Sequence, residues 1–335
     1  MPQNNKKVTI FGYFGFKNLG DELILLSLVQ NLKNRADITV LSKRPRETAG
    51  ELGVRAVNRW NPFSAARQIL ASKTVLGGGG GLFQNKTSTL SLFYYLSLIV
   101  LAKIFSKRVV LLSQGIGPIH GRTARAVSRR ILELADVITV RDRGSYEALK
   151  ALGVKKEARV TGDAVFALDF SPSGIKKSGG PAAAGIALRS FREHRRFTGE
   201  LREVLEQFRQ GRKLSYIFYP FQVPEDNISG EDNRIISRPE EFIREFAALD
   251  LVVGARYHSL VLARALQKPF IGINVDTKIK YLCESSGMPC LELNENTFKN
   301  NLKSSIIKLL NEKTPVILEA YGQKVKESFS LVFDG

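Results

Sequence analysis

Short runs of β-branched and apolar residues recur along the chain, separated by stretches in which apolar positions return every three or four residues. Residues 8–11, 38–41, 73–76, 109–113, 137–140 and 158–161 read as strands, and 21–34, 65–71, 87–105, 122–134 and 145–152 as helices. Strands that alternate with helices of this length predict a parallel sheet covered on both faces. Residues 171–184 (SPSGIKKSGGPAAA) lack periodicity and are rich in Ser, Gly, Pro and Ala, the composition of a linker. The alternation then resumes with strands at 185–188, 215–219, 251–253 and 270–273 and helices near 199–209, 239–248, 259–266 and 298–311. A last segment, 316–332, is helical over much of its length by pattern. The expected fold class is α/β, with two Rossmann-like domains facing each other across a cleft. The first covers 1–170, a linker 171–184, the second 185–314, and a C-terminal helix within 315–335 is expected to pack back on the first.

Charge adds a partner class. The net charge is +18, and residues 1–170 carry 26 Lys and Arg against 12 Asp and Glu, while 171–335 carry 24 against 20. A basic N-terminal half implies an anionic partner. No zinc-finger spacing, RNA-binding aromatic motif or helix-turn-helix pattern accompanies the charge, so nucleic acid is not expected. Residues 90–105 (LSLFYYLSLIVLAKIF) are strongly apolar but fall short of the ~20 residues that span a bilayer. Two readings stand: a buried helix of the α/β domain, or an amphipathic helix lying on an anionic membrane surface. Cys283 and Cys290 suggest no disulfide framework, and residues 1–7 lack the apolar core of a signal peptide. The expected location is cytoplasmic, with peripheral attachment to the inner face of the membrane as an option.

Candidate chemistry lies where predicted strands end. The first strand runs into residues 12–22 (GYFGFKNLGDE), whose glycines bring backbone N–H groups close to a ligand. Asn18, Asp21 and Glu22 there are candidates to bind an acceptor or accept a proton. Five glycines, 77–81, follow the third strand, with Gly79 and Gly80 as ligand-lining candidates; Gln114 opens QGIGP after the fourth. Neither spacing is a dinucleotide fingerprint or a P-loop. Arg141 and Arg143 (RDRGS) carry forked guanidinium groups suited to carboxylate or phosphate, and Asp163 ends the strand at 158–161. In the second half Arg256 and His258 (RYHS) follow an apolar strand, where open parallel sheets bind ligands. His120, His194 and His258 are scattered, so no metal site is expected.

Taken in order, GYFGFKNLGDE, GGGGGLF, QGIGP, RDRGS and RYHS resemble the polysaccharide pyruvyl transferases, above all the bacterial type that modifies secondary cell-wall polymers. The resemblance implies a GT-B-like fold and transfer of a pyruvyl group from phosphoenolpyruvate to two hydroxyls of one sugar, as a 4,6-ketal. The implied acceptor is an N-acetylmannosamine in a lipid-linked saccharide, and the ketal charge would anchor surface-layer proteins. Phosphoenolpyruvate is a co-substrate, and no cofactor is implied. The donor-binding R-x-H pair of the family falls on Arg256 and His258. A lysine some twenty residues on falls on Lys278, with Lys280 as competitor, and an N-domain arginine on Arg141 or Arg143. His258 is then the candidate acid, with Asp163, Asp21 and Glu22 as candidate proton acceptors. The alternative is a GT-B-type glycosyltransferase using a nucleotide sugar, since architecture does not fix chemistry.

Overall fold

The computed structural model describes residues 6–169, 180–189, 195–227, 233–293, 296–312, 315–317 and 321–334. Two compact units make up the chain: unit 1 is Met1–Asp169 with Ala320–Gly335, and unit 2 is Phe170–Glu319.

Unit 1 runs β1 (Lys6–Phe11), α1 (Leu19–Leu32), β2 (Ala36–Ser42), α2 (Pro45–Leu52), β3 (Arg55–Asn58), α3 (Pro62–Ala71) and β4 (Thr74–Gly77). It continues with β5 (Gly80–Phe83), α4 (Thr89–Ile104), β6 (Arg108–Ile116), α5 (Arg122–Leu132), β7 (Val137–Val140), α6 (Arg143–Ala151) and β8 (Ala158–Val160). The strands pair in the order β3-β2-β1-β4-β6-β7-β8, with β5 added beside β6, and every pairing is parallel. Strands covered on both faces read as unbroken apolar runs, which is why β1 and β6 are legible as KKVTIF and RVVLLSQGI. One face carries α3 to α6, whose Ile69, Leu96, Ile99, Leu132 and Leu149 join Phe11, Val75 and Leu111 in a single core. The other carries α1, buried along nearly its whole length.

The chain end closes unit 1. Helix α12 (Tyr321–Ser328) packs on a 3-10 turn, Ala164–Ala167, with the Tyr321 and Phe166 rings stacked at 5.6 Å. Lys6 Nζ donates to Phe333 O at 2.6 Å and Thr74 Oγ1 to Val332 O at 3.2 Å.

Unit 2 runs β9 (Ala182–Ala187), α7 (Arg195–Gln210), β10 (Leu214–Phe218), α8 (Pro239–Ala247), β11 (Leu251–Gly254), α9 (Tyr257–Ala265) and β12 (Phe270–Ile273). Helix α10 (Thr277–Ser286), β13 (Cys290–Leu291) and α11 (Phe298–Asn311) complete it. Its parallel sheet has the order β10-β9-β11-β12-β13. Tyr219, Phe221, Phe242 and Phe246 fill the space beside β10, with Phe242 and Phe246 stacked at 5.0 Å.

Several expectations need adjustment. The linker expected over 171–184 is too long, because Ala182, Ala183 and Ala184 already pair in β9; residues 171–179 lie outside the described residues. The helix expected over 316–332 is confined to α12 and a 3-10 turn, Ser330–Val332. The glycine run is not all loop: Gly77 ends β4 and Gly80 begins β5. On α4, Leu92, Tyr95, Leu96 and Ile99 are buried, yet Leu90 is 81% and Ile104 68% exposed, so burial describes only its inner side. Among the described residues no helix is long and apolar enough to cross a membrane.

Gly15 shows how tightly the first loop is built. Its φ is +76°, and a Cβ there would stand 2.3 Å from Ser42 Oγ and 2.7 Å from the backbone nitrogen of Arg44. Left-handed backbone costs a residue with a side chain about 1–2 kcal/mol, and the collision with fixed backbone adds to it. Gly15→Ala is expected to lower unfolding free energy by about 3 kcal/mol, read from the urea midpoint at unchanged slope.

Candidate functional site

Each sheet has its first strand in its interior. In unit 1 the chain leaves β1 for β2 and β3 on one side, then returns to β4 on the other; in unit 2 β10 and β11 flank β9 in the same way. Such reversals open a crevice beyond the carboxyl ends of the two strands, where open α/β sheets bind ligands. The reversal points fall at the glycine loops after β1 and β4, and at the residues after β9 and β11.

In unit 2 a small crevice lies there, lined by Leu188, Arg189, Thr198, Ala255, Ile273 and Phe298 among others. The turn from β11 into α9 follows Ala255. Arg256 stands at the N-cap of α9, and no side chain caps that helix. Two of its nitrogens fork onto Asp226: Nε donates to Oδ2 at 2.7 Å, and the terminal nitrogen to Oδ1. Asp226 Oδ2 also accepts from the backbone of Phe221 (3.1 Å) and Gln222 (2.9 Å). Burial raises the Asp226 carboxyl above its ordinary range, against the lowering effect of Arg256. Arg256 is thus aimed by a carboxylate that sequence reasoning missed; the aperiodic stretch around it gives no signal. His258 is half-buried, its ring edge-on to Tyr257 at 5.4 Å. Lys278, in the first turn of α10 behind the Asp276 cap, places Nζ 5.7 Å from the Tyr257 ring centre and 3.4 Å from Asp276 Oδ2. Arg256, Tyr257, His258 and Lys278 therefore come together, while Lys280 is exposed on α10.

In unit 1 the candidates hold the loops in place. Asn18 Oδ1 accepts from the Gly20 N–H at 3.1 Å and caps α1. Glu22 Oε1 accepts from the Gly15 N–H at 2.8 Å, and burial pushes its carboxyl up to about 8, with the Asp21 and Glu51 charges adding to the shift. Asp21 is buried against Gly80, where a Cβ would approach its Oδ1 to 2.8 Å. Gly79 and Gly80 both have positive φ, +82° and +77°, and are buried. Gln114 is buried too, donating from Nε2 to Gly77 O at 2.8 Å and Leu112 O at 3.0 Å. Arg141 is buried over Gly115, with Nε donating to Asp142 Oδ2 at 3.0 Å and a terminal nitrogen 3.8 Å from Asp163 Oδ2. Asp163 Oδ1 in turn accepts from the Val165 N–H at 3.1 Å. Arg143 points to solvent and pairs with Glu147 at 2.6 Å. Of the two arginines, Arg141 is the one the fold draws inward.

A further buried cation was not anticipated. Arg59 donates to Gly12 O at 2.6 Å and stacks its guanidinium 4.4 Å from the Tyr94 ring centre and 5.0 Å from those of Phe16 and Trp60. Burial pushes the Tyr95 hydroxyl up to about 12. Arg59 fixes the carbonyl at the end of β1 from beneath. Among the described residues no group of His, Cys, Asp and Glu could hold a metal ion.

The sequence matches a family model described as polysaccharide pyruvyl transferase over residues 18–277. No curated protein matches it. Similar solved structures include the UDP-GlcNAc 2-epimerase of Methanocaldococcus jannaschii, 13% identical with TM-score 0.65, covering 98% of this chain and 100% of that one. The UDP-GlcNAc 2-epimerase of Neisseria meningitidis bound to UDP-GlcNAc is 12% identical, with TM-score 0.65 and coverage of 98% and 99%. A spinosyn rhamnosyltransferase complexed with thymidine diphosphate is 12% identical, with TM-score 0.53 and coverage of 98% and 95%. At such identities the likeness is one of fold: two Rossmann-like units of the GT-B-like kind.

Glu22 generates a pH test. With its carboxyl near 8 in the folded chain and near 4.5 unfolded, the folded state holds the extra proton between those values. Stability is therefore highest below about 4.5 and falls as pH rises from there to about 8, by on the order of 5 kcal/mol in all. Glu22→Gln, which keeps an acceptor for Gly15, is expected to flatten that slope in melting temperatures taken from pH 5 to 9. A variant retaining the wild-type slope would assign it to another group.

Proposed function

From the chain's membership of the polysaccharide pyruvyl transferase family, whose model spans residues 18–277, we propose that this transferase moves a pyruvyl group from phosphoenolpyruvate to a cell-wall or exopolysaccharide precursor. The acceptor is a lipid-linked saccharide containing N-acetylmannosamine, and the product is a 4,6-ketal with release of phosphate. What carries the reading is that the matched stretch includes Arg256-Tyr257-His258 at the reversal point of unit 2. Lys278, one residue beyond the match, joins that turn through Tyr257.

In the reaction the methylene carbon of the donor gains a proton and becomes a methyl group. One sugar hydroxyl adds at C2, the C2–phosphate bond breaks, and the second hydroxyl closes the ketal. Of the two hydroxyl protons, one is equivalent to that on the new methyl, and the other leaves with phosphate. We assign the donor carboxylate and phosphate to Arg256 and Lys278. A guanidinium held by Asp226 loses little freedom on binding an oxyanion, and the N-terminus of α9 favours negative charge. His258 is assigned the proton delivery, a role that contributes on the order of 10²–10⁴-fold. The phenyl and aliphatic walls of the unit 2 crevice beside Arg189 favour one second reading, a glycosyltransferase using a nucleotide sugar.

Incubation with a lipid-linked disaccharide and either phosphoenolpyruvate or nucleotide sugars, with phosphate release and product mass followed, separates the two. The expected outcome is phosphate release and a pyruvyl mass increment with phosphoenolpyruvate alone. His258→Ala is expected to lose at least 100-fold in kcat at unchanged melting temperature.

A further inference from the structure

Between Glu51 and Glu133 the chain contains no acidic residue: residues 52–132 hold 12 Lys and Arg and no Asp or Glu. The fold gathers this stretch on one side of unit 1, where α4 packs between α3 and α5 over the shared core. The outward side of α4 is apolar at both ends, with Leu90 81%, Phe93 36% and Ile104 68% exposed. Beside it, at and before α3, Trp60 is 57%, Phe63 85% and Leu70 54% exposed, with the Trp60 ring 5.4 Å from Tyr94 of α4. On the other flank α5 exposes Arg122, Arg125, Arg129 and Arg130, while Arg67 is exposed on α3 and Lys86 in the turn before α4.

Large apolar side chains left in water, with cations on both flanks, mark a docking surface. We propose that the α3–α4–α5 face of unit 1 docks on an anionic lipid bilayer, with Trp60, Phe63, Leu90 and Phe93 entering the headgroup boundary and the α5 arginines engaging lipid phosphates. The charge pattern selects this occupant. A second copy of the chain would bring like-charged arginines together, whereas an anionic leaflet attracts each of them and accepts the apolar tips between them. Indole rings favour that boundary. The docking requires nothing of the transferred group, so it stands or falls separately from the proposed reaction.

Trp60 is the only tryptophan and therefore reports directly. Full-length protein is mixed with phosphatidylglycerol–phosphatidylcholine vesicles or with phosphatidylcholine alone, and Trp60 emission and flotation are recorded. A blue shift and flotation with the anionic vesicles, weakened by high salt, are expected. Phe63→Ser with Leu90→Ser, both solvent-exposed, should weaken binding at least 10-fold at unchanged melting temperature. Replacing Arg122, Arg125, Arg129 and Arg130 by Gln should weaken it by about fivefold per residue. Unchanged emission with anionic vesicles, or flotation of the Ser variant like the wild type, would overturn the proposal. So would a dimer in solution that the same Ser variant breaks apart.

Discussion

Parallel pairing imposes one constraint on which everything functional here depends: a strand laid first in the middle of a sheet must be flanked by later strands arriving from opposite sides. β1 and β9 are both such strands. Helices then cover different faces on the two sides of the reversal, and the loops at the carboxyl ends part. The backbone there must turn without side chains in the way, which is why Gly77 and Gly78 pack directly against Phe11, Leu111, Leu28 and Phe14. Gly77 and Gly78 thus serve close packing.

Buried charge then fixes the loops. Arg59 on Gly12 O, Glu22 on the Gly15 N–H and Asp226 on the Phe221 and Gln222 N–H groups form a repeated device, an ionisable side chain tied to loop backbone, while Arg141 packs over Gly115 and pairs with Asp142. Taking such groups from water is costly, and breaking a buried pair leaves an uncompensated charge worth about 3–5 kcal/mol. The arrangement is therefore rigid, and rigidity at a site lets a forked guanidinium meet an oxyanion without first being ordered. Glu22 shows the tension this creates: the burial that raises its basicity makes its ionised form destabilising to the fold.

Much of the fold was legible because strands covered on both faces are unbroken apolar runs, and β1, β2, β6, β7, β11 and β12 are such runs. β3 (RAVN) is a half-exposed edge strand, β5 begins with two glycines, and β13 has two residues, so none has a pattern to detect. α2 (PRETAGEL) buries only Thr48 and has no apolar stripe. In the site, Arg256 and His258 stood out because rare residue types follow an apolar strand. Asp226 and Arg59 did not, since their meaning comes from partners about thirty and fifty residues away. Spacing cannot encode a contact made by folding. The choice between Arg141 and Arg143 was of the same kind: both sit in one motif, and only the start of α6 turns the second toward solvent.

The likeness to nucleotide-sugar epimerases and a rhamnosyltransferase follows from the same constraint and does not decide the substrate. A crevice at a strand reversal, next to helix N-termini, suits any phosphate-bearing ligand, whether a diphosphate or an enol phosphate. Discrimination has to come from side chains. A diphosphate needs length and a wall for its base; a three-carbon donor needs cations closely grouped around two anionic ends. In unit 2, Arg256 rests on its Asp226 support, and Lys278 lies over the ring of Tyr257, the next residue in the chain. The choice of ligand, rather than the fold, is therefore the informative question for a chain of this architecture.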